Sequence, residues 1–155
     1  MSQLAIGAYA PEFELKTVDG GPRRLSEALR QGPVVLVFYK ASCGTCQFTF
    51  PFIQQIYSKV GKSAPWTLWG ISEDDFDETR AFARQNGITF DLLIDEHPYS
   101  VAAAYGLHNV PAIFIIQSDG SVSLSDFGFS KDTLNQIAGF PFFTSDDGLP
   151  ATRPG

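Results

Sequence analysis

Apolar positions along this chain come in two kinds of run, unbroken and periodic, and the two kinds alternate. Val34 to Tyr39 is continuously apolar and follows Gly32-Pro33, a pattern that suits a strand covered on both faces. Pro65 to Ile71 and Ala112 to Gln117 predict further strands, and Thr89 to Ile94 a short extended segment. Between them the apolar spacing changes. Phe48, Phe52, Ile53, Ile56 and Val60 keep close to a 3.6-residue period, which predicts a helix over Gln47 to Val60 that Pro51 should kink. Asp77 to Asn86 predicts a helix closed by Gly87. Pro98 to Tyr105 predicts another, with Pro98 in its first turn, and Lys131 to Phe140 a last one.

The flanks read as turns and hairpins. Pro11 to Leu15 is extended, Asp19-Gly20-Gly21 turns the chain, and Pro22 to Leu25 returns it, so an N-terminal hairpin is expected. Ser26 is placed to cap a short helix through Arg30. Ser118 to Ser121 turns a second hairpin into Val122 to Phe127. Phe140 to Phe143 can fold back on the core, whereas the residues from Thr144 offer little to pack. The division expected is one domain over 1–143 and a flexible C-terminal tail over 144–155. Strand–helix–strand–helix followed by a hairpin and a helix describes an α/β layered domain with a mixed sheet, and function belongs at the C-terminal ends of its parallel strands.

Composition narrows the partners. At 155 residues, 44% apolar and 18% charged, the chain is long enough for one good core. A net charge of −6 argues against nucleic acid and against an anionic membrane surface. No apolar run reaches the length of a transmembrane helix. Met1 to Gly7 lacks a basic region followed by an apolar one, so a cytoplasmic location is expected, and an extracytoplasmic one if a leader has been removed.

The candidate chemistry is concentrated in Cys43-Gly44-Thr45-Cys46, which holds both cysteines of the chain. Two thiols two residues apart, where a strand hands over to a helix, can close a reversible disulfide. The helix N-terminus favours a thiolate on Cys43 through its unpaired N–H groups and partial positive charge. Other uses of the pair are weaker. Zinc normally takes four ligands, and His97 and His108, the only histidines, lack the usual spacing. A structural disulfide here would close too small a loop to stabilise much. Two inert buried cysteines are the remaining account.

The chain resembles the thioredoxin-fold thiol–disulfide oxidoreductases, in the branch shared by TlpA/ResA-like proteins and the AhpC/TSA redoxin group. The resemblance spans roughly residues 7 to 140. It is carried by Gly7 to Leu15, Val35 to Cys46, Pro51, Gly70-Ile71-Ser72, Tyr105 to Pro111 and Ile115 to Gly120. It implies a thioredoxin-like three-layer α/β/α sandwich with a mixed central sheet and an N-terminal β-hairpin extension. It also implies that Pro111 is the cis-proline beside the disulfide and that the Val110 backbone pairs with an extended substrate peptide. The substrate class would be disulfide-containing proteins, the electron source an unidentified reductant, and no bound cofactor would be needed.

The departures shape the rest of the site. Thioredoxins carry Trp before the first cysteine and Gly-Pro between the pair, where this chain has Ser42 and Gly44-Thr45. Their buried acid corresponds here to Val37. Lys40 can help the Cys43 thiolate electrostatically, or can be a solvated loop residue. Glu73, with Asp74 and Asp75, follows a strand end and can take a proton from Cys46. The competing account is helix capping, since Ser72-x-x-Asp75 resembles a capping box. His108 reads as a loop residue.

Three readings follow. The first is disulfide exchange with protein substrates, with Cys43 attacking, Cys46 resolving and Thr45 tuning the pair. The second is a peroxiredoxin-type peroxidase, whose P-x-x-x-T-x-x-C pattern fails here. The positions three and seven before Cys43 are Lys40 and Leu36, and before Cys46 they are Cys43 and Tyr39. The third is a copper- or zinc-binding module that holds the metal between the two thiolates and His108. Oligomeric state is left open.

Overall fold

The computed structural model describes residues 2–155. In chain order the elements are β1 (Glu14–Thr17), β2 (Pro22–Arg24), α1 (Leu25–Leu29), β3 (Val34–Tyr39), α2 (Gly44–Val60), β4 (Thr67–Ser72) and α3 (Phe76–Asn86). Then follow β5 (Asp91–Ile94), α4 (Ser100–Ala104), β6 (Ala112–Ile116), β7 (Val122–Phe127), β8 (Phe129–Ser130), α5 (Lys131–Ala138) and β9 (Thr152–Arg153). Seven strands form one sheet in the order β2-β1-β5-β4-β3-β6-β7. β3, β4 and β5 are parallel, while β6 and β7 on one side and the β1–β2 hairpin on the other run antiparallel to their neighbours.

The unbroken apolar run of β3 accounts for the three layers. Every residue from Val34 to Tyr39 is buried, and alternate side chains point to opposite faces of the sheet. Val35, Val37 and Tyr39 pack with Phe50, Ile53 and Ile56 of α2, Phe82 of α3, and Leu134 and Ile137 of α5. Val34, Leu36 and Phe38 pack with Leu25 of α1, Val101, Ala102 and Tyr105 at α4, and Phe114 of β6. The sheet is thus sandwiched between two helical layers. Much of the first layer is aromatic, with Tyr39 and Phe50 ring centroids 4.4 Å apart and Tyr39 and Phe82 4.8 Å apart. Contacts of this kind hold the start of α2 against the end of β3, which fixes where the cysteines sit.

Several expected boundaries move, each for a physical reason. α1 begins at Leu25 with Arg24 at its N-cap, and Ser26 is not its cap. The Ser26 N–H instead donates to Glu12 Oε1 at 2.9 Å, so the acceptor comes from a distant part of the chain. Pro98 lies before α4 rather than in its first turn. The His97–Pro98 bond is cis and Tyr99 takes a left-handed conformation ahead of the helix. The α4 first turn is satisfied by Asp95, whose carboxylate accepts from Val101 N–H at 3.3 Å and Ala102 N–H at 2.9 Å. α2 starts three residues earlier than its apolar period indicates and takes in Cys46, continuing through Pro51 to Val60.

The segment after Thr144, which offers little to pack when read as sequence, has specific partners in the structure. Lys131 Nζ donates to the Thr144 carbonyl at 3.0 Å and to Asp147 Oδ1 at 2.5 Å. Thr152 and Arg153 then form β9, antiparallel to β8. Phe143 is buried in the main core, consistent with the return of Phe140 to Phe143 onto it.

Candidate active site

Cys43 occupies the N-cap of α2 with extended backbone angles, φ −80° and ψ 119°. At an ordinary N-cap a side-chain oxygen accepts the N–H of the third helical residue. Here sulfur takes that place: the Cys46 N–H donates to Cys43 Sγ at 3.1 Å. One orphan donor of the helix end is thereby aimed at the Cys43 sulfur. The other polar neighbour of Cys43 Sγ is the Val110 carbonyl oxygen at 3.5 Å, to which a thiol can donate.

The two sulfurs have different surroundings. Both cysteines are free, Cys43 half-buried and Cys46 fully buried. Burial pushes the Cys46 thiol well up from its ordinary value, and its hydrogen bond with Cys43 and the charge of Asp74 act in the same direction. At neutral pH Cys46 is therefore a protonated thiol set in the core. The pair presents one accessible sulfur with a donor directed at it and one recessed sulfur behind it.

The loop on the far side of Cys43 comes from the β6 end of the sheet. The Val110–Pro111 peptide bond is cis, and the Pro111 carbonyl accepts from the Gly128 N–H at 2.8 Å. The Val110 carbonyl faces the Cys43 sulfur, and Pro111 follows it immediately before β6.

The supporting residues are arranged less simply. Lys40 Nζ lies 3.7 Å from Glu73 Oε2, so its charge is directed to that carboxyl group. Burial pushes the Glu73 carboxyl up, with Lys40 opposing the shift and Asp95 and Asp74 adding to it. Asp74 accepts from the Ala41 N–H at 2.7 Å, which ties the β4 end to the turn leading into Cys43. Among the three neighbouring acids it is Asp74 whose charge bears on Cys46. Asp75 caps α3, accepting from Glu78 N–H at 2.7 Å, so the capping account holds for Asp75 itself and not for Ser72. Ser72 ends β4, where its hydroxyl accepts from the Asp74 N–H at 3.0 Å. Thr45 is buried, and its hydroxyl donates to the Pro154 carbonyl at 2.6 Å.

The structure therefore brings Cys43, Cys46, Val110 and Pro111 together and places Thr45 on the same helix turn, while Lys40 and Glu73 face each other beside it. Asp74 and the Thr45–Pro154 contact are the features that a reading of spacing does not single out. Among the described residues, no group of three or more His, Cys, Asp and Glu side chains is assembled to hold a metal ion. His108 is not brought together with the two sulfurs into such a group.

Comparison with known proteins agrees with this geometry. Residues 6–125 match the model of the AhpC/TSA family. The thiol–disulfide oxidoreductase ResA of Geobacillus thermodenitrificans is 29% identical over 119 residues, 77% of this chain and 67% of that protein. A solution structure from Bacteroides thetaiotaomicron superposes with a TM-score of 0.81 at 27% identity, covering 90% of this chain and 91% of the other. The crystal structure of peroxidoxin BcpB from Mycobacterium tuberculosis gives a TM-score of 0.73 at 28% identity, covering 87% and 94%.

Proposed function

The chain belongs to the AhpC/TSA family, and from that premise we propose that it is a thiol–disulfide oxidoreductase acting on protein disulfides through Cys43 and Cys46. The observation that carries this reading is the asymmetry of the pair. The accessible Cys43 sulfur receives the Cys46 N–H at 3.1 Å, and Cys46 is a buried thiol within the same helix turn.

The exchange then runs in two steps. The Cys43 thiolate attacks one sulfur of a substrate disulfide; the S–S bond breaks, a Cys43–substrate disulfide forms, and the released substrate sulfur takes a proton. Cys46 next loses its proton and attacks Cys43 Sγ. The Cys43–Cys46 disulfide forms and the second substrate thiolate leaves, to be protonated in turn. Two electrons pass from enzyme to substrate, Cys46 gives up one proton, and solvent supplies the other. A dithiol or small-thiol reductant restores the pair, and run backwards the same steps oxidise a substrate dithiol. Val110 holds an extended substrate backbone against Cys43. Asp74, held by the Ala41 N–H at 2.7 Å beside the turn that leads into Cys43, is assigned as the group that receives the proton Cys46 gives up.

Peroxide reduction is the second reading, favoured by the likeness to peroxidoxin BcpB. The position three residues before Cys43 is Lys40, directed to Glu73, and no threonine supports a peroxide there. With one reductant supplied to both reactions, disulfide exchange should exceed hydrogen peroxide consumption in kcat/KM by on the order of 10²-fold, the usual effect of one missing transition-state donor. Peroxide turnover equal to or faster than disulfide turnover would favour the peroxidase.

A further inference from the structure

Residues 151–155 lie beside Cys43, and nothing in the exchange chemistry requires them there. Their backbone pairs with the edge of β8, Arg153 opposite Phe129 and Thr152 opposite Ser130, and the Ala151 carbonyl accepts from Lys131 N–H at 3.0 Å. The Arg153 guanidinium sits over the Phe48 ring, 4.9 Å from its centroid, in the second turn of the helix that Cys43 caps. The next carbonyl, that of Pro154, accepts from Thr45 at 2.6 Å. Gly155 runs so close to Val110 that an added Cβ would stand 2.5 Å from the Val110 oxygen, the atom that faces Cys43 Sγ. Gly128 makes room on the other side, for a Cβ there would stand 2.5 Å from the Arg153 carbonyl oxygen.

The seat thus has three parts: a strand edge for an extended backbone, an aromatic face for a cation, and a hydroxyl for the carbonyl that follows. None depends on the link to residue 150. The occupant is held lightly, since all five of its residues are exposed. The seat already holds a cation, Arg153 on Phe48. The chain as a whole carries a net charge of −6, which attracts a basic segment over an acidic one.

We propose that the seat filled by residues 151–155 is a docking seat for the protein substrate, that it takes an extended segment with a basic side chain on Phe48, and that Arg153 is the chain's own stand-in for that side chain. The proposal rests on the oxidoreductase reading and names the chemistry of its substrate. The covering segment competes as a tethered ligand, so the apparent affinity for substrate falls by the fraction of time the seat is open. A cation–π contact at an exposed site carries about two- to fivefold in such an equilibrium.

The test compares the wild-type protein with Arg153→Ala and Arg153→Lys. The substrates are two peptides that each carry one cysteine in a mixed disulfide with glutathione, identical except for arginine or glutamate on both sides of that cysteine. Hydroxyethyl disulfide, small and uncharged, is the third. We expect the arginine peptide to have a KM about threefold or more below that of the glutamate peptide. Arg153→Ala should lower KM for the arginine peptide by about two- to fivefold with kcat unchanged, Arg153→Lys should behave as wild type, and hydroxyethyl disulfide should not distinguish the three. Turnover of hydroxyethyl disulfide without preference between the peptides, or with KM unchanged or raised in Arg153→Ala, overturns the docking seat and leaves the oxidoreductase standing. Failure to turn over any of the three disulfides removes the oxidoreductase reading instead.

Discussion

Cys43→Ser is expected to lose disulfide exchange by on the order of 10³-fold or more while keeping the wild-type fold. The expectation follows from the position of the sulfur. Cys43 is the accessible member of the pair, sits at the N-cap of α2, and receives the Cys46 N–H at 3.1 Å. A serine hydroxyl can accept the same N–H, since serine is among the preferred N-cap residues, so the helix start survives. A hydroxyl at neutral pH is not a nucleophile toward a disulfide, because no base is placed to take its proton and an S–O product is unstable. Steady-state turnover of a protein disulfide, with circular dichroism and urea unfolding as the control for folding, checks both halves. Activity within tenfold of wild type would mean that Cys43 is not the attacking sulfur.

Cys46→Ser should act differently, leaving the first step intact and stopping the second. Cys43 keeps its exposure and its helix-end donor, so attack on a substrate disulfide still proceeds. The resulting mixed disulfide has no internal thiol to release it and accumulates as a covalent adduct, which non-reducing gels and intact mass measure directly. The wild type should show how Cys46 works through pH. Burial holds its thiol well above the ordinary value, so only a small fraction is thiolate near neutrality. Resolution of the mixed disulfide should then speed up with rising pH, approaching about tenfold per unit where thiolate formation limits the step. A flat profile between pH 6 and 8 would show that Cys46 resolves without this proton limit.

What the sequence reveals here is what neighbouring residues determine. The β3 run, the two hairpins and the placement of Cys43-Gly44-Thr45-Cys46 at a strand-to-helix junction each depend on one short contiguous stretch, and the structure has them all. Helix starts are less legible where the cap arrives from elsewhere. Glu12 supplies the acceptor for Ser26 at α1, and Asp95 supplies those for Val101 and Ala102 at α4. The choice among Glu73, Asp74 and Asp75 depends on which carboxyl reaches the Ala41 N–H, a contact across 33 positions. Residues 151–155 are the hardest case. Ala-Thr-Arg-Pro-Gly has no periodicity and no apolar weight, and its partners Thr45, Phe48 and Phe129 lie far back along the chain. A short polar segment acquires structure from the surface that receives it, and that surface exists only after the domain has folded.

Disulfide exchange by these two steps requires Cys43 and Cys46 to cycle together as one redox couple. Equilibrating the protein against graded glutathione buffers, quenching with acid and counting free thiols by mass tests this most directly. We predict one two-electron transition in which both thiols disappear together, with a midpoint inside the range of about −270 to −120 mV spanned by C-x-x-C proteins. Thiols that disappear independently, or a Cys43 that forms only glutathione adducts while Cys46 stays reduced, would contradict the account.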